Sequence, residues 1–213
     1  MGYSVIRLAA RDAIYVYMDE AGRDDTPNIL TDLYVFDTEG SRDVIGTHAA
    51  ATAWILGHIH KTPTLIRRLR RVRWDLDFPY WTDTEIDPDR HILFQDIGTT
   101  SRDDLHELFA SIAERPLDGD GPLWEVHVLT GIRGVTDLPD RATVVALRAH
   151  HSVTDGLGLV QMARALFGDA DITPSTGRPP SLDLGVVGAI VKLPVALAEL
   201  AVAGRITPEL HAR

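Results

Sequence analysis

The stretch A-T-V-V-A-L-R-A-H-H-S-V-T-D-G (Ala142 to Gly156) decides the fold, because an apolar run ends there in a polar turn. Small and β-branched apolar residues predict a buried β-strand from Ala142 to His151. An apolar face spaced at helical intervals predicts a helix from Gly156 onward. Ser152 to Asp155 therefore form a short strand-to-helix connection.

The two adjacent histidines are predicted to point in opposite directions, because successive side chains of a strand lie on opposite faces of the sheet. One of them packs in the core beside Arg148, and His151, which shares a face with Val145 and Leu147, can face a cavity. Such a pair is a poor chelate for one metal ion, and the spacing of a helical zinc site is absent. No metal site is predicted.

Asp155 precedes the predicted helix, so its carboxylate either caps the helix or turns back to hold a ring or an arginine. Gly156 is predicted to allow a tight backbone path. Taken singly, a histidine at a strand end and an aspartate before a helix are most often structural residues.

Further elements are predicted on both sides of this stretch. Strands are predicted over Leu30–Asp37, Leu69–Trp81 (exposed), His91–Ile97 and Pro122–Thr130, and helices over Leu8–Asp19, Asp43–His58, Ser101–Ala113 and Gly156–Gly168. Ser101 is expected to cap its helix, and Gly168 to end the last one. The strand from Pro122 is expected to pair with the strand from Ala142 in antiparallel fashion.

Composition restricts the class of protein. The chain has 213 residues, a formal charge of -10 and no cysteine. The acidic balance argues against a nucleic-acid surface, and the absence of cysteine excludes disulfides and thiolate chemistry. The first thirty residues do not have the pattern of a secretory signal, which favours an intracellular protein.

His-His-x-x-x-Asp-Gly at the end of an apolar strand resembles the active-site motif of the CoA-dependent acyltransferase superfamily, which includes chloramphenicol acetyltransferases and condensation domains. Three other regions resemble bacterial wax ester synthase/acyl-CoA:diacylglycerol acyltransferases. They are L-A-A-R-D-A-I-Y-V-Y from Leu8, L-I-R-R-L-R-R-V-R-W-D-L-D-F-P-Y-W-T-D with D-P-D-R-H-I, and R-P-L-D-G-D-G-P-L-W-E-V-H-V-L-T-G-I from Arg115. Where many members carry Met-His, this chain has Asn28-Ile29.

The resemblance implies an α+β fold, a chloramphenicol-acetyltransferase-like half with a mixed β-sheet flanked by helices. It implies a domain over residues 1–170, a linker over 171–184, and an apolar crossover helix over 185–213 that leads towards a second half. For Val186 to Gly204, burial against that half is preferred over a spanning or interfacial helix, because Lys192 and Pro194 interrupt the segment.

The resemblance also implies acyl transfer from acyl-CoA to an alcohol, with His151 as general base, Asp155 as an orienting residue, and no cofactor. His150 and Gly156 are expected to support the site. Pro122, Leu123 and Trp124 either shape an acyl channel or pack in the core. The expected partners are acyl-CoA, diacylglycerol or a fatty alcohol, a carboxy-terminal half or a second copy, and possible contact with a membrane or lipid droplet; nucleic acid is not expected.

Other interpretations stay open. Ser152 lies beside the histidines but lacks the elbow of a serine hydrolase. The arginines between Arg67 and Arg73 are typical of a solvated strand face, although anionic headgroups or CoA phosphates would also suit them. The chain is thus either the histidine-bearing half of an acyltransferase or a non-catalytic module that binds acyl lipids, and transfer to a polyketide or peptide alcohol is a third possibility.

Overall fold

The computed structural model describes residues 5–20, 28–39 and 45–168, so the predicted linker and crossover helix lie outside the described residues. The strands are β1 (Val5–Arg7), β2 (Ile29–Asp37), β3 (Arg67–Arg70), β4 (Tyr80–Asp83), β5 (Ile92–Asp96), β6 (Trp124–Ile132) and β7 (Ala142–His150). The α-helices are α1 (Ala10–Glu20), α2 (His48–His58), α3 (Pro88–His91), α4 (Arg102–Glu114) and α5 (Gly156–Phe167).

The strands of the described residues form two sheets. The larger sheet has the order β2-β7-β6-β5, and the smaller sheet has the order β1-β4-β3. In the larger sheet β7 pairs antiparallel with both neighbours, whereas β5 and β6 are parallel and are connected by α4. The predicted antiparallel pairing of β6 with β7 is confirmed, and the sheet is mixed.

Both faces of β7 are buried, which explains its continuous apolar run. On one face Val145, Leu147 and Ala149 pack with residues of α2 and α5. On the other face Val144 and Ala146 pack with residues of α4. The central strand, which ends at His150 and leads directly to His151, is therefore fixed between two hydrophobic layers.

The predicted helices are confirmed, with shifts at their ends. α1 begins at Ala10, and α2 is a helix from His48, where Thr47 caps it. Ser101 caps α4 as expected, accepting a hydrogen bond from the backbone N–H of Asp104. Gly168 ends α5 as expected.

The prediction of one exposed strand from Leu69 to Trp81 is wrong. The segment contains the end of β3, a 3-10 turn over Arg73–Asp75 and the start of β4, and the two strands pair antiparallel. Trp74 and Asp75 both have positive φ, so the chain reverses there without a glycine. The partial alternation of apolar and polar residues in this segment arises because it contains parts of two short antiparallel strands. An alternating pattern alone does not show where one strand ends and the next begins.

Gly131 interrupts β6 where the pairing register shifts between Leu129 and Ile132. Its φ of 68° lies in the left-handed region, and a Cβ atom there would collide with the carboxylate of Asp96. We expect Gly131→Ala to lower the free energy of unfolding by about 1–2 kcal/mol, measured by urea denaturation. The matched control is Gly57→Ala in α2, where a Cβ meets no atom within 4 Å and should stabilise by about 0.5–1 kcal/mol. Equal effects of the two substitutions would contradict this account.

Candidate active site

The backbone of the two histidines is held from both sides by the neighbouring strands. The N–H of His150 donates to the carbonyl of Leu123, just before β6, at 3.0 Å. The N–H of His151 donates to the carbonyl of Asn28, just before β2, at 2.8 Å. The backbone of His150 at the end of β7 and of His151 at the start of the turn is therefore fixed without using either imidazole ring.

His151 lies beyond the end of β7 and faces a cavity, as the alternation predicts. Its ring stacks on Tyr15 of α1, with ring centroids 4.3 Å apart and an interplanar angle of 15°. Within the part of the chain that the structure describes, no side-chain hydrogen bond engages its ring nitrogens. An imidazole placed this way can accept a proton from a molecule in the cavity.

The cavity has a volume of about 690 Å³ and lies between α1, the small sheet and the first turn of α5. Apolar side chains form one part of its wall: Ile6, Leu8, Trp81, Val153 and Met162. Polar side chains form the other part: Arg7, Arg11, Asp12, Tyr15, Thr64, Arg67, His151, Ser152, Thr154, Asp155 and Gln161. The cavity can thus receive a molecule with both an apolar and a polar portion.

His150 is buried, as predicted, it does not line the cavity, and its two ring nitrogens have separate partners. Nδ1 accepts the backbone N–H of Ser152 at 3.1 Å and lies 2.6 Å from the Ser152 hydroxyl. Nε2 lies 2.7 Å from a carboxylate oxygen of Asp19. Since Nδ1 is an acceptor, the hydrogen-bond pattern places the ring hydrogen on Nε2, where it is donated to Asp19.

Burial lowers the pKa of His150 below its usual 6.5, because the hydrogen bond and charge of Asp19 oppose the loss of hydration without offsetting it. The stability that this neutral ring contributes is therefore present above about pH 6.5 and is lost as pH falls through the folded-state pKa. We expect the His150 ring resonance in an NMR titration to show a lower pKa in the folded chain than in urea. A folded-state pKa above the value in urea would contradict this expectation.

Asp155 is the N-cap of α5, the first of the two roles predicted for it, and its carboxylate accepts the N–H of Gly158 at 2.8 Å. The predicted tight backbone path at Gly156 is not found, whereas the contribution of this residue to the site stays a prediction. Gly156 does not have a positive φ, and a Cβ atom there would meet open space. The close approach occurs at Gly158, where a Cβ atom would collide with the hydroxyl of Thr154. The close approach in this turn is therefore at its second glycine rather than at its first.

The predicted Pro122-Leu123-Trp124 group does not line this cavity. Trp124 is buried in the core, donates its indole N–H to the carbonyl of Leu65 at 2.7 Å, and stacks on His91. The carbonyl of Leu123 accepts the N–H of His150, and its side chain packs against a cluster that contains residues of α1 and of the small sheet. Their contribution to an acyl channel stays a prediction.

Sequence reasoning missed the residues of α1 that meet the histidines. Asp12, Tyr15 and Asp19 are spaced by three and four residues, which places them on one face of the helix. Tyr15 stacks on His151, Asp19 bonds His150, and Asp12 lines the cavity. Burial raises the pKa of Asp12 despite the charge of neighbouring Arg11. The sequence signal for these residues is their spacing of three and four along α1.

The described residues were compared with the requirements of a metal site and of a membrane-spanning helix. These residues contain no group of three or more His, Cys, Asp or Glu side chains placed to hold a metal ion. Among the helices of ranges 5–20, 28–39 and 45–168, none has both the length and the apolar character that crossing a bilayer requires.

Two Mycobacterium tuberculosis (strain ATCC 25618 / H37Rv) proteins, each named putative diacylglycerol O-acyltransferase, are similar to this chain. One is 33% identical over 103 residues, which are 47% of this chain and 22% of that protein. The other is 29% identical over 178 residues, which are 81% of this chain and 35% of that protein.

Solved structures show the fold. A wax ester synthase/diacylglycerol acyltransferase from Marinobacter aquaeolei VT8 superposes with a TM-score of 0.58 at 23% identity, covering 87% of this chain and 44% of that chain. The first condensation domain of the calcium-dependent antibiotic synthetase gives a TM-score of 0.59 at 15% identity, covering 76% and 37%. The predicted α+β, chloramphenicol-acetyltransferase-like fold is confirmed.

In each of these comparisons the aligned part of the chain corresponds to less than half of the relative's length. The family model described as the wax ester synthase/diacylglycerol acyltransferase catalytic domain matches residues 8–185. The histidine pair lies within that range, and so do all the residues that line the cavity except Ile6 and Arg7. The chain therefore belongs to the wax ester synthase/diacylglycerol acyltransferase catalytic domain family of acyltransferases.

Proposed function

We propose that this chain is the histidine-bearing part of an acyltransferase that moves a fatty acyl group from acyl-CoA to the hydroxyl of diacylglycerol or a long-chain alcohol. The observation that carries the proposal is the position of His151, whose ring faces the cavity while its backbone and its stacked face are fixed by Asn28 and Tyr15. Family membership supports the reaction class.

In the proposed reaction, neutral His151 removes the proton of the acceptor hydroxyl as that oxygen attacks the thioester carbonyl. The tetrahedral intermediate then expels the CoA sulfur, and the imidazolium returns its proton to give CoA thiol and an ester. A neutral imidazole has one ring nitrogen that can accept this proton. The route needs no acyl-enzyme, in keeping with a chain that lacks cysteine.

The remaining residues of the motif act through geometry in this proposal. Asp155 starts α5 at the cavity wall and so fixes the turn that follows His151. Ser152 directs its hydroxyl to the Nδ1 atom of buried His150 rather than to His151, which is a poor arrangement for a nucleophile that needs His151 as its base. Neither residue transfers a proton in the proposed reaction.

Turnover is proposed to require a second half, as part of the same polypeptide or as another chain. The matched region covers 44% of the Marinobacter enzyme, and the described residues enclose the cavity only partly, so a further wall would serve to exclude water from the thioester. The alternative function is binding of acyl lipids without turnover, which the mixed apolar and polar wall of the cavity also favours.

The test is CoA-thiol release together with ester formation from palmitoyl-CoA, with diacylglycerol or hexadecanol as acceptor. The chain is assayed alone and with a carboxy-terminal half of the same family, and binding of fluorescent palmitoyl-CoA is measured in parallel. Ester formed only in the combined sample supports the proposal in full. Binding without ester in either sample overturns the catalytic proposal in favour of a lipid-binding module.

A further inference from the structure

One carboxylate of α1 is connected to both histidines. The Oδ2 atom of Asp19 accepts the ring hydrogen of His150, and its Oδ1 atom accepts from the side-chain amide and the backbone N–H of Asn28. The carbonyl of Asn28 in turn accepts the backbone N–H of His151. Asp19 thus reaches the ring of one histidine directly and the backbone of the other through a single residue.

Each described hydrogen bond of the Asp19 side chain has Asp19 as the acceptor. His150 Nε2–H donates to one carboxylate oxygen and the Asn28 amide groups donate to the other, and a carboxylate can accept through both of its oxygens. A side-chain amide of the same size presents one acceptor and one donor, so one of the two contacts becomes a clash of donors. That clash is relieved at His150 if the ring moves its hydrogen to Nδ1, which breaks its bond with the Ser152 N–H.

His150 belongs to the turn as well as to the sheet. Its Nδ1 holds Ser152, and its carbonyl accepts the N–H of Val153 at 2.8 Å. The backbone from 150 to 153 is therefore closed around the His150 ring, with His151 at its outer corner. If the ring hydrogen of His150 moved to Nδ1, the hydrogen bond from the Ser152 N–H would be lost. The turn that presents His151 to the cavity would then have one hydrogen bond fewer.

We propose that Asp19 is a positioning residue for His151. It fixes the His150 tautomer on one side and the Asn28 carbonyl on the other, so that the His151 ring stays stacked on Tyr15 and directed into the cavity. This inference rests on the proposed function for its kinetic consequence, since misplacement of a reacting group by about 1 Å costs roughly 10²-fold in rate. Its structural part stands independently of turnover.

The first experiment is NMR of imidazole nitrogens and backbone amides in the chain itself, comparing the natural protein with Asp19→Asn, Asp19→Glu and the control Asp37→Asn. Asp37 is an exposed carboxylate at the opposite end of β2. We expect the Nε2–H tautomer of His150 in the natural protein, loss of that tautomer and faster amide hydrogen exchange at His151 in Asp19→Asn, and no change in the control. Asp19→Glu keeps two acceptor oxygens and should restore the tautomer.

The second experiment measures kcat and KM for acyl transfer in the combined two-half sample. We expect Asp19→Asn to lower kcat by about 10- to 100-fold with KM for palmitoyl-CoA changed less than about twofold, and Asp19→Glu to recover part of the loss. Unchanged His150 tautomer and His151 exchange in Asp19→Asn overturn the inference. Inactivity of the natural protein counts against the proposed function instead, and the NMR result still decides the role of Asp19.

Discussion

Replacing His151 by alanine is expected to lower kcat for acyl transfer by about 10²- to 10⁴-fold, the range typical of a lost general base. The free energy of unfolding should change by less than about 1 kcal/mol, because the substitution removes one aromatic stack but keeps the backbone bond to Asn28. The measurements are ester formation in the two-half sample and urea denaturation of the chain alone.

A matched control is His106→Ala, which removes an exposed histidine from α4 without touching the cavity. It should leave both quantities unchanged. Full transfer activity in the His151 variant would contradict the general-base assignment, whereas loss of activity accompanied by unfolding would assign the residue to the fold.

Removing the charge of Arg148 is expected to have the largest effect on stability. The side chain is fully buried, donates from Nη1 to Glu125 at 2.8 Å, and donates from Nη2 to the carbonyls of Ala113 and Arg115. Glu125 also lies 2.9 Å from His127. We expect Arg148→Met to lower the free energy of unfolding by about 3–5 kcal/mol, measured by urea denaturation at pH 7, because it leaves a buried carboxylate with too few partners.

The control is the double variant Arg148→Met with Glu125→Leu, which removes both charges and should be less destabilised than the sum of the two single variants. Burial acts to raise the pKa of Glu125, but the hydrogen bond from His127 and the charge of Arg148 outweigh it and lower that pKa. The contribution of the pair is therefore present above about pH 4.5 and lost as pH falls through the folded-state value. Additive single effects at pH 7 would contradict a coupled pair.

The strand that carries the histidines could be predicted from sequence because two local signals agree there. The apolar run of β7 indicates burial on both faces, and strand alternation separates His150 from His151 without any knowledge of their neighbours. The capping role of Asp155 follows from its place before α5. These inferences depend on contacts within a few residues, where sequence patterns are most informative.

The contacts that complete the site could not be read in the same way. Asp19 and His150 are separated by 131 positions in the chain, and Tyr15 meets His151 across a similar interval. The pattern of residues near β7 in the sequence does not predict which helix packs over the end of this strand. The reversal between β3 and β4 was missed for a different reason, since Trp74 adopts a positive φ that its residue type rarely adopts.

The distance in sequence between α1 and β7 has a consequence for how the protein acquires its site. Parallel strands β5 and β6 with α4 between them, and the β3–β4 hairpin, join segments that are near neighbours along the chain. Closing α1 onto the end of β7 joins segments far apart and costs more loop entropy. During synthesis, α1 emerges long before its partner histidines exist. The paired state of His150 is therefore a marker of a completed fold, and a chain that has not closed presents two ordinary, solvated imidazoles.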